Sequence, residues 1–223
     1  MADKISSDGW RLFVAIAIPE LVRNEMIAVQ RELKALALVD VRWTNAEQLH
    51  LTLKFLGSVP ASSVEAVKQS LTKACAGVQP FSLRVKGMGF FPNAHSPRVI
   101  WVGFHDGQNA LTDLQMRVET SLAPFVEKPG LPRGVTTNHA DPTADNSTPR
   151  GKEKFLPHAT LGRFQKYRRY KAEKLMPRAT ALRDHAFGEW RVRDVCLFRS
   201  ELSPDGARHT RLAVFPFGAT LKV

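Results

Sequence analysis

The sequence predicts an α+β protein built on antiparallel sheets, and three observations lead there. Short β-branched and aromatic runs are interspersed with amphipathic stretches, several runs are joined closely enough to pair as hairpins, and one His-x-Thr-Leu tetrad occurs in each half of the chain. A doubly wound parallel sheet would instead place a crossover helix between successive strands. At 223 residues, 43% hydrophobic and 24% charged, the chain has the length and composition for one domain of two packed lobes with a sizeable core. Those values exclude wholesale disorder.

Arg11-Leu-Phe-Val-Ala-Ile-Ala-Ile18, ended by Pro19-Glu20, reads as a buried strand. Over 20–37, Leu21, Met26, Val29, Leu33 and Leu36 recur near helical spacing with Arg and Glu between them. His50 to Phe55 is a second strand, closed by Leu56-Gly57, and Pro60 opens a helix with Val64, Val67, Leu71 and Cys75 on one face. Phe81 to Val85 and Val99 to Phe104 are strands joined by a Gly/Pro-rich link through Phe90, Pro92 and Pro97. Leu111, Leu114, Val118 and Leu122 mark a third amphipathic helix. From about 128 to 154 the chain turns rich in Pro, Thr, Asn, Asp and Gly, which predicts an insertion with little core, flexible and either inert or a lid carrying Arg133, His139 and Arg150. Beyond it, Phe155 to Phe164 is a strand, 168–183 a basic helix interrupted at Pro177, Trp190 to Ser200 one strand, and Arg211 to Phe217 the last.

Composition narrows the function before any motif is read. Thirty-two Lys+Arg against twenty-one Asp+Glu give +11, a surface suited to polyanions. From Arg163 to Arg211 there are thirteen Lys/Arg and six Asp/Glu, so +7 (13 − 6) of that excess lies in one C-terminal stretch. No apolar run approaches the roughly eighteen residues a membrane-spanning helix needs, so no membrane partner is expected. The first ten residues lack the pattern of a secretory signal, and Cys75 and Cys196 are far apart, which together predict reduced thiols in a cytoplasmic protein. Without a CxxC pair, a structural zinc site is not expected.

The informative feature is the echo. His50-Leu-Thr-Leu53 is answered by His158-Ala-Thr-Leu161, 108 residues later (158 − 50). In a strand, alternate side chains share a face, so His50 and Thr52 point one way and Leu51, Leu53 and Phe55 the other. Likewise His158 and Thr160 oppose Ala159 and Leu161. Two copies in matching contexts suggest a pseudo-twofold duplication whose polar faces meet across one cleft. Two facing imidazoles suit acid–base hydrolysis of a phosphodiester, one taking a proton while the other supplies one, with the threonine hydroxyls as neutral donors to phosphate oxygens.

These motifs, with Arg11 to Pro19 at the start, resemble the 2H phosphoesterase superfamily, and within it the bacterial RNA 2′,3′-cyclic phosphodiesterases, also called 2′-5′ RNA ligases. The agreement extends to Val41-Arg-Trp43, His50-Leu-Thr-Leu-Lys-Phe-Leu-Gly57, Pro97-Arg-Val-Ile-Trp-Val-Gly103, Leu156-Pro-His-Ala-Thr-Leu-Gly-Arg163, and Leu197-Phe-Arg-Ser-Glu-Leu-Ser203 with Gly206. The resemblance implies a bilobal α+β fold, with two antiparallel sheets lining a central cleft and helices outside. It implies hydrolysis of a terminal 2′,3′-cyclic phosphate on RNA or a nucleotide to a 2′-phosphate, with no metal or cofactor. The same chemistry reversed, a ribose hydroxyl replacing water, gives 2′-5′ ligation. By similarity His50 is the proton donor and His158 the proton acceptor, while Thr52, Thr160 and Arg163 bind phosphate. One chain supplies both histidines, so the expected state is a monomer without an obligate protein partner.

Other residues carry weaker expectations. His95, His105 and His209 sit in turn-like contexts and read as solvated, as does His185 after the basic helix. Tyr167 and Tyr170, interleaved with Lys166, Arg168, Arg169 and Lys171, fit either an RNA-backbone groove or a solvated helix face. Phe55, Phe90 and Trp101 could stack on a base or simply belong to the core. The alternatives to the cyclic phosphodiesterase are a 2′-5′ oligonucleotide phosphodiesterase using the same histidines, and an RNA-end-binding module without turnover. A two-histidine metal hydrolase lacks nearby carboxylates.

Overall fold

The computed structural model describes residues 9–36, 40–126, 155–166, 174–203 and 206–218. The elements run β1 (Gly9–Ala17), α1 (Glu20–Leu36), β2 (Asp40–Trp43), β3 (His50–Pro60), α2 (Val64–Cys75), β4 (Phe81–Phe91), β5 (Val99–His105), α3 (Ala110–Leu122), β6 (His158–Lys166), α4 (Leu175–Ala181), β7 (Ala186–Val192), β8 (Asp194–Ser203) and β9 (Gly206–Pro216). They form two antiparallel sheets, one ordered β3-β1-β8-β9 and the other β2-β6-β5-β4-β7. The α+β class is as expected. The 128–154 stretch, with Arg133, His139 and Arg150, and the Tyr167/Tyr170 cluster lie outside the described residues, apart from the backbone of Lys166.

The duplication is visible in the strand order. Set β3-β1-β8-β9 against β6-β5-β4-β7 and each His-x-Thr strand occupies an outer place beside the strand that opens its half, with β2 added next to β6. The helices follow the same rule. α1 leaves β1 and packs against β7 and α4 of the other sheet, whereas α3 leaves β5 and packs under β3 with α2. Each layer of helix therefore covers one sheet on its apolar side, and the two sheets meet through β3 and β6.

Burial explains why these segments form these elements. Leu12, Val14 and Ile16 of β1 and Leu51, Leu53 and Leu56 of β3 face Val67 and Leu71 of α2 and Leu114 and Val118 of α3. Val22, Met26, Val29 and Leu33 of α1 meet Leu83, Val85, Ile100 and Val102 on the second sheet, all in the same continuous core. Burying one such side chain contributes about 1.5–3 kcal/mol, so the two apolar faces dominate the stability of the fold.

Four expectations about the elements change. β3 and β4 run past Gly57 and Gly87, because both glycines adopt positive φ (76° and 82°) beside register shifts and so serve as bulges within a strand, not as its end. β4 and β5 are consequently a hairpin paired as far as Phe91 and Val99. Pro177 does not interrupt a helix. It stands in the first turn of α4, where its missing N–H is not needed. The run from Trp190 to Ser200 is two strands, since the chain leaves the five-stranded sheet at Val192 and enters the four-stranded one at Asp194. The imperfect alternation there marks the change of sheet.

Candidate active site

His50 and His158 are each the first residue of their strand, and the fold treats them identically. The Nδ1 of His50 lies 2.6 Å from the carbonyl oxygen of Gln48, and the Nδ1 of His158 lies 2.8 Å from that of Leu156. A carbonyl only accepts, so in each ring Nδ1 carries the hydrogen, and Nε2 is left as the reactive nitrogen. Each imidazole is thus oriented by its own backbone two residues upstream.

The pairing places the rest of the site. On the first sheet, His50 and Thr52 stand opposite Ala17 and Ala15, whose methyl groups leave room beside them. Phe13 fills the next position, its ring 4.8 Å from that of His50 and stacked 5.1 Å from Phe198. On the second sheet, His158 faces Gly103 and Thr160 faces Trp101. Trp101 stacks on Phe91 at 5.1 Å, and Phe91 meets His158 edge-on at 4.9 Å. Gly89, opposite Trp101, makes this possible, because a Cβ there would sit 2.3 Å from the indole.

Both motif strands bulge at the same residue. In β3, Thr52 pairs with Ala15 and Lys54 with Val14, so Leu53 is the extra residue. In β6, Thr160 pairs with Trp101 and Gly162 with Ile100, so Leu161 is the extra residue. A bulge of one residue inverts the alternation beyond it. The fifth residue after each histidine, which strict alternation would send into the core, therefore shares the histidine's face. On β6 that residue is Arg163, exposed and opposite Val99 on the face of Trp101 and Thr160. On β3 it is Phe55, 61% exposed and 5.8 Å from Phe13. Phe55 does not lie with Leu51 and Leu53, as alternation alone predicted. Lys54 takes the core side instead, 9% exposed, where its ammonium pairs with Glu119 of α3.

His209 was not anticipated as part of this face. It lies within β9, opposite Ser200, with its ring 5.3 Å from His50 and 4.8 Å from Phe13. The signal was the hairpin: β8 and β9 pair all the way to Gly206, which makes 206–210 strand and sends His209 inward with Arg211, opposite Phe198. His95 lies in the link between β4 and β5 and His185 just before β7, 3.2 Å from Glu25, whereas His105 shares the Trp101 and Gly103 face of β5, its Nε2 3.4 Å from where a Cβ on Gly103 would stand. Cys75 and Cys196 are free and buried, and burial pushes their thiols up to about 12 and about 11, so neither is a nucleophile near neutral pH.

The environment of His50 sets its charge. Burial among Phe13, Phe198 and the strand backbone, then positive charge on His209 and on His158, together lower its pKa from 6.5 to about 4 against the opposing bond to Gln48. The ring is neutral at pH 7 in the ligand-free protein. An unfolded chain takes up this proton below pH 6.5 while the folded one resists until about 4, so the contribution is absent above 6.5 and destabilises the fold as the pH drops through that window. Replacing His209 by Gln removes one repelling charge. The His50 ring titration, followed by NMR, is expected to move above its value of about 4; an unmoved midpoint would show that burial acts alone.

Among the described residues no cluster of three or more His, Cys, Asp or Glu could hold a metal ion, and no helix is long and apolar enough to cross a membrane. Residues 16–101 match the LigT like Phosphoesterase family. The RNA 2′,3′-cyclic phosphodiesterase of Thermus thermophilus is 31% identical over 210 residues, spanning 92% of this chain and 89% of that one. That of Methanothermobacter thermautotrophicus is 28% identical over 205 residues, spanning 92% and 97%. A Thermus thermophilus crystal structure superposes with a TM-score of 0.69 at 25% identity over 93% of this chain and 97% of that one. E. coli LigT complexed with 3′-AMP shares the fold, with a TM-score of 0.65 at 22% identity over 96% and 100%.

Proposed function

Since the chain belongs to the LigT-like phosphoesterase family, we propose that it hydrolyses terminal 2′,3′-cyclic phosphates on RNA or nucleotides to 2′-phosphates by two-histidine acid–base catalysis. The observation that carries this reading is the matched pair of imidazoles. Both are held through Nδ1 by a carbonyl two residues upstream, on the two strands through which the sheets meet, each beside a threonine on the same face.

The steps follow from that placement. The cyclic phosphate sits between the motifs, its non-bridging oxygens accepting hydrogen bonds from the hydroxyls of Thr52 and Thr160 and facing the guanidinium of Arg163. His158 accepts a proton from water through Nε2 as the water oxygen attacks phosphorus. The pentacovalent transition state gathers negative charge, which those donors stabilise without reorganising. The P–O3′ bond breaks, His50 delivers its proton to the departing 3′ oxygen, and the phosphate stays on O2′. His50, neutral in the empty site, gains that proton with the substrate, since the phosphodiester anion offsets the burial and the repulsion from His209 and His158 that disfavour its charge. Phe55, exposed and backed by the buried ring of Phe13, offers a base a stacking surface on the His50 side, and Arg211 adds positive charge there.

The direct test is product analysis. Purified protein in EDTA is expected to convert 2′,3′-cyclic AMP to 2′-AMP. Formation of 3′-AMP would reverse the assigned leaving group, and activity abolished by chelation and restored by one divalent cation would replace the two-histidine reading with a metal hydrolase.

A further inference from the structure

The bulged residue of β6, Leu161, faces the end of β2 just beyond the Trp43–Gly162 pair, and a carbonyl oxygen can accept from more than one donor. The Leu161 carbonyl oxygen has two. The backbone N–H of Thr44 donates to it at 2.9 Å, and the side-chain amide of Gln30 donates at 2.9 Å while also donating to the Thr44 carbonyl at 2.8 Å. Gln30 is an unusual residue for its place. It is 8% exposed, on the buried side of α1 with Val22, Met26, Val29 and Leu33, where packing alone would favour an apolar side chain. Both N–H groups of one amide are thus spent on locking the end of β2 to the bulge of β6.

The other motif has a counterpart. Gln115 of α3 donates to the carbonyl of Leu53, the bulged residue of β3, at a longer 3.5 Å, and Lys54 next to it is paired with Glu119 of the same helix. The pattern is crossed: α1, leaving the four-stranded sheet, holds the bulge of the five-stranded one, and α3 does the converse. Recurrence at equivalent positions of a duplicated fold separates these contacts from incidental polar burial.

We infer that Gln30 is a positioning residue for the phosphate site, acting through the Leu161 bulge on Arg163; this rests on the reading of Arg163 as a phosphate ligand. Without the bulge, Arg163 would face α1 and the core. With the bulge present but unclamped, the strand segment between Thr160 and Arg163 keeps its backbone bond from Thr44 but loses the side-chain anchor, and the guanidinium is held less firmly relative to the hydroxyl and imidazole that precede it. A displacement of about 1 Å in such a constellation can cost on the order of 100-fold.

Gln30→Met keeps the length and bulk of the side chain and removes both donors. Wild type, Gln30→Met, Arg163→Ala and the double variant are to be compared by calorimetric binding of inorganic phosphate and by kcat/KM for 2′,3′-cyclic AMP, with melting temperatures recorded for each. If Gln30→Met does not fold, Gln30→Asn, which withdraws the amide by one methylene, takes its place in the cycle. The expected result is that the Gln30 change weakens phosphate binding and kcat/KM by on the order of tenfold or more in the wild-type background and by less than about twofold once Arg163 is gone, because residues acting through one another are not additive. Equal losses in both backgrounds, or unchanged phosphate affinity in Gln30→Met while Arg163→Ala has lost it, overturn the clamp alone. Wild-type phosphate affinity in Arg163→Ala overturns the phosphate-site reading, and the clamp with it.

Discussion

His50→Ala and His158→Ala are each expected to lower kcat for 2′,3′-cyclic AMP by on the order of 100- to 10,000-fold, the range over which general acid–base groups act. The melting temperature should change little in His158→Ala, because its ring rests against Phe91 at the edge of the core. His50→Ala removes a ring packed against Phe13 and Phe198, so some loss of stability accompanies it. The two losses should not add. Once one partner is gone, the concerted transfer is broken, and the second substitution removes only what the remaining ring still contributes. Full turnover in either single variant would eliminate the two-histidine mechanism, while RNA binding that survives both would be the behaviour of a binding module.

Gly89→Ala is the second large effect. The new methyl would lie 2.3, 2.7 and 2.8 Å from three atoms of the Trp101 ring, well inside van der Waals contact. The backbone has little freedom to yield, since β4 is hydrogen-bonded on one side to β5 and on the other to β7. The indole must therefore move off Phe91, which is also the ring that supports His158. Overpacking of this kind costs about 1–3 kcal/mol. Urea unfolding should show that loss, and turnover should fall as well, since the floor beneath His158 shifts. Wild-type values for both would mean that Trp101 has an alternative seat without consequence for the site.

The two motifs, both histidines and the faces of their threonines were legible in the residues because period-2 alternation holds from His50 to Leu53 and from His158 to Leu161. Legibility ended at the bulges. An extra residue in one strand is defined by its pairing partner, and nothing within Leu53-Lys54-Phe55 says that Val14 will pair with Lys54. Alternation alone therefore puts Phe55 on the apolar face, leaving base stacking as its other reading, and Arg163 is a phosphate-site candidate by family resemblance alone. His209 was hidden for a related reason: the pairing of β9 with β8, not its own composition, makes it strand. Gln30 reads in the sequence as one more polar residue between apolar ones, and its role depends on a carbonyl 131 positions away (161 − 30).

The chain is duplicated, yet the strand order lets neither half complete its own sheet. β1 lies between β3 and β8, so Phe13 completes its aromatic floor with Phe198, 185 residues downstream (198 − 13). On a ribosome the His50 half of the cleft must wait for almost the last strand to emerge, whereas β4 to β7, contiguous apart from β2, can assemble earlier. Loop-closure entropy makes such distant pairing slow. A protein released short of β8 would carry His50 and Thr52 on a strand pair with an open edge, exposed to association with other chains. The two sheets are thus completed in turn during synthesis, and the face that carries His50 and Thr52 is finished last.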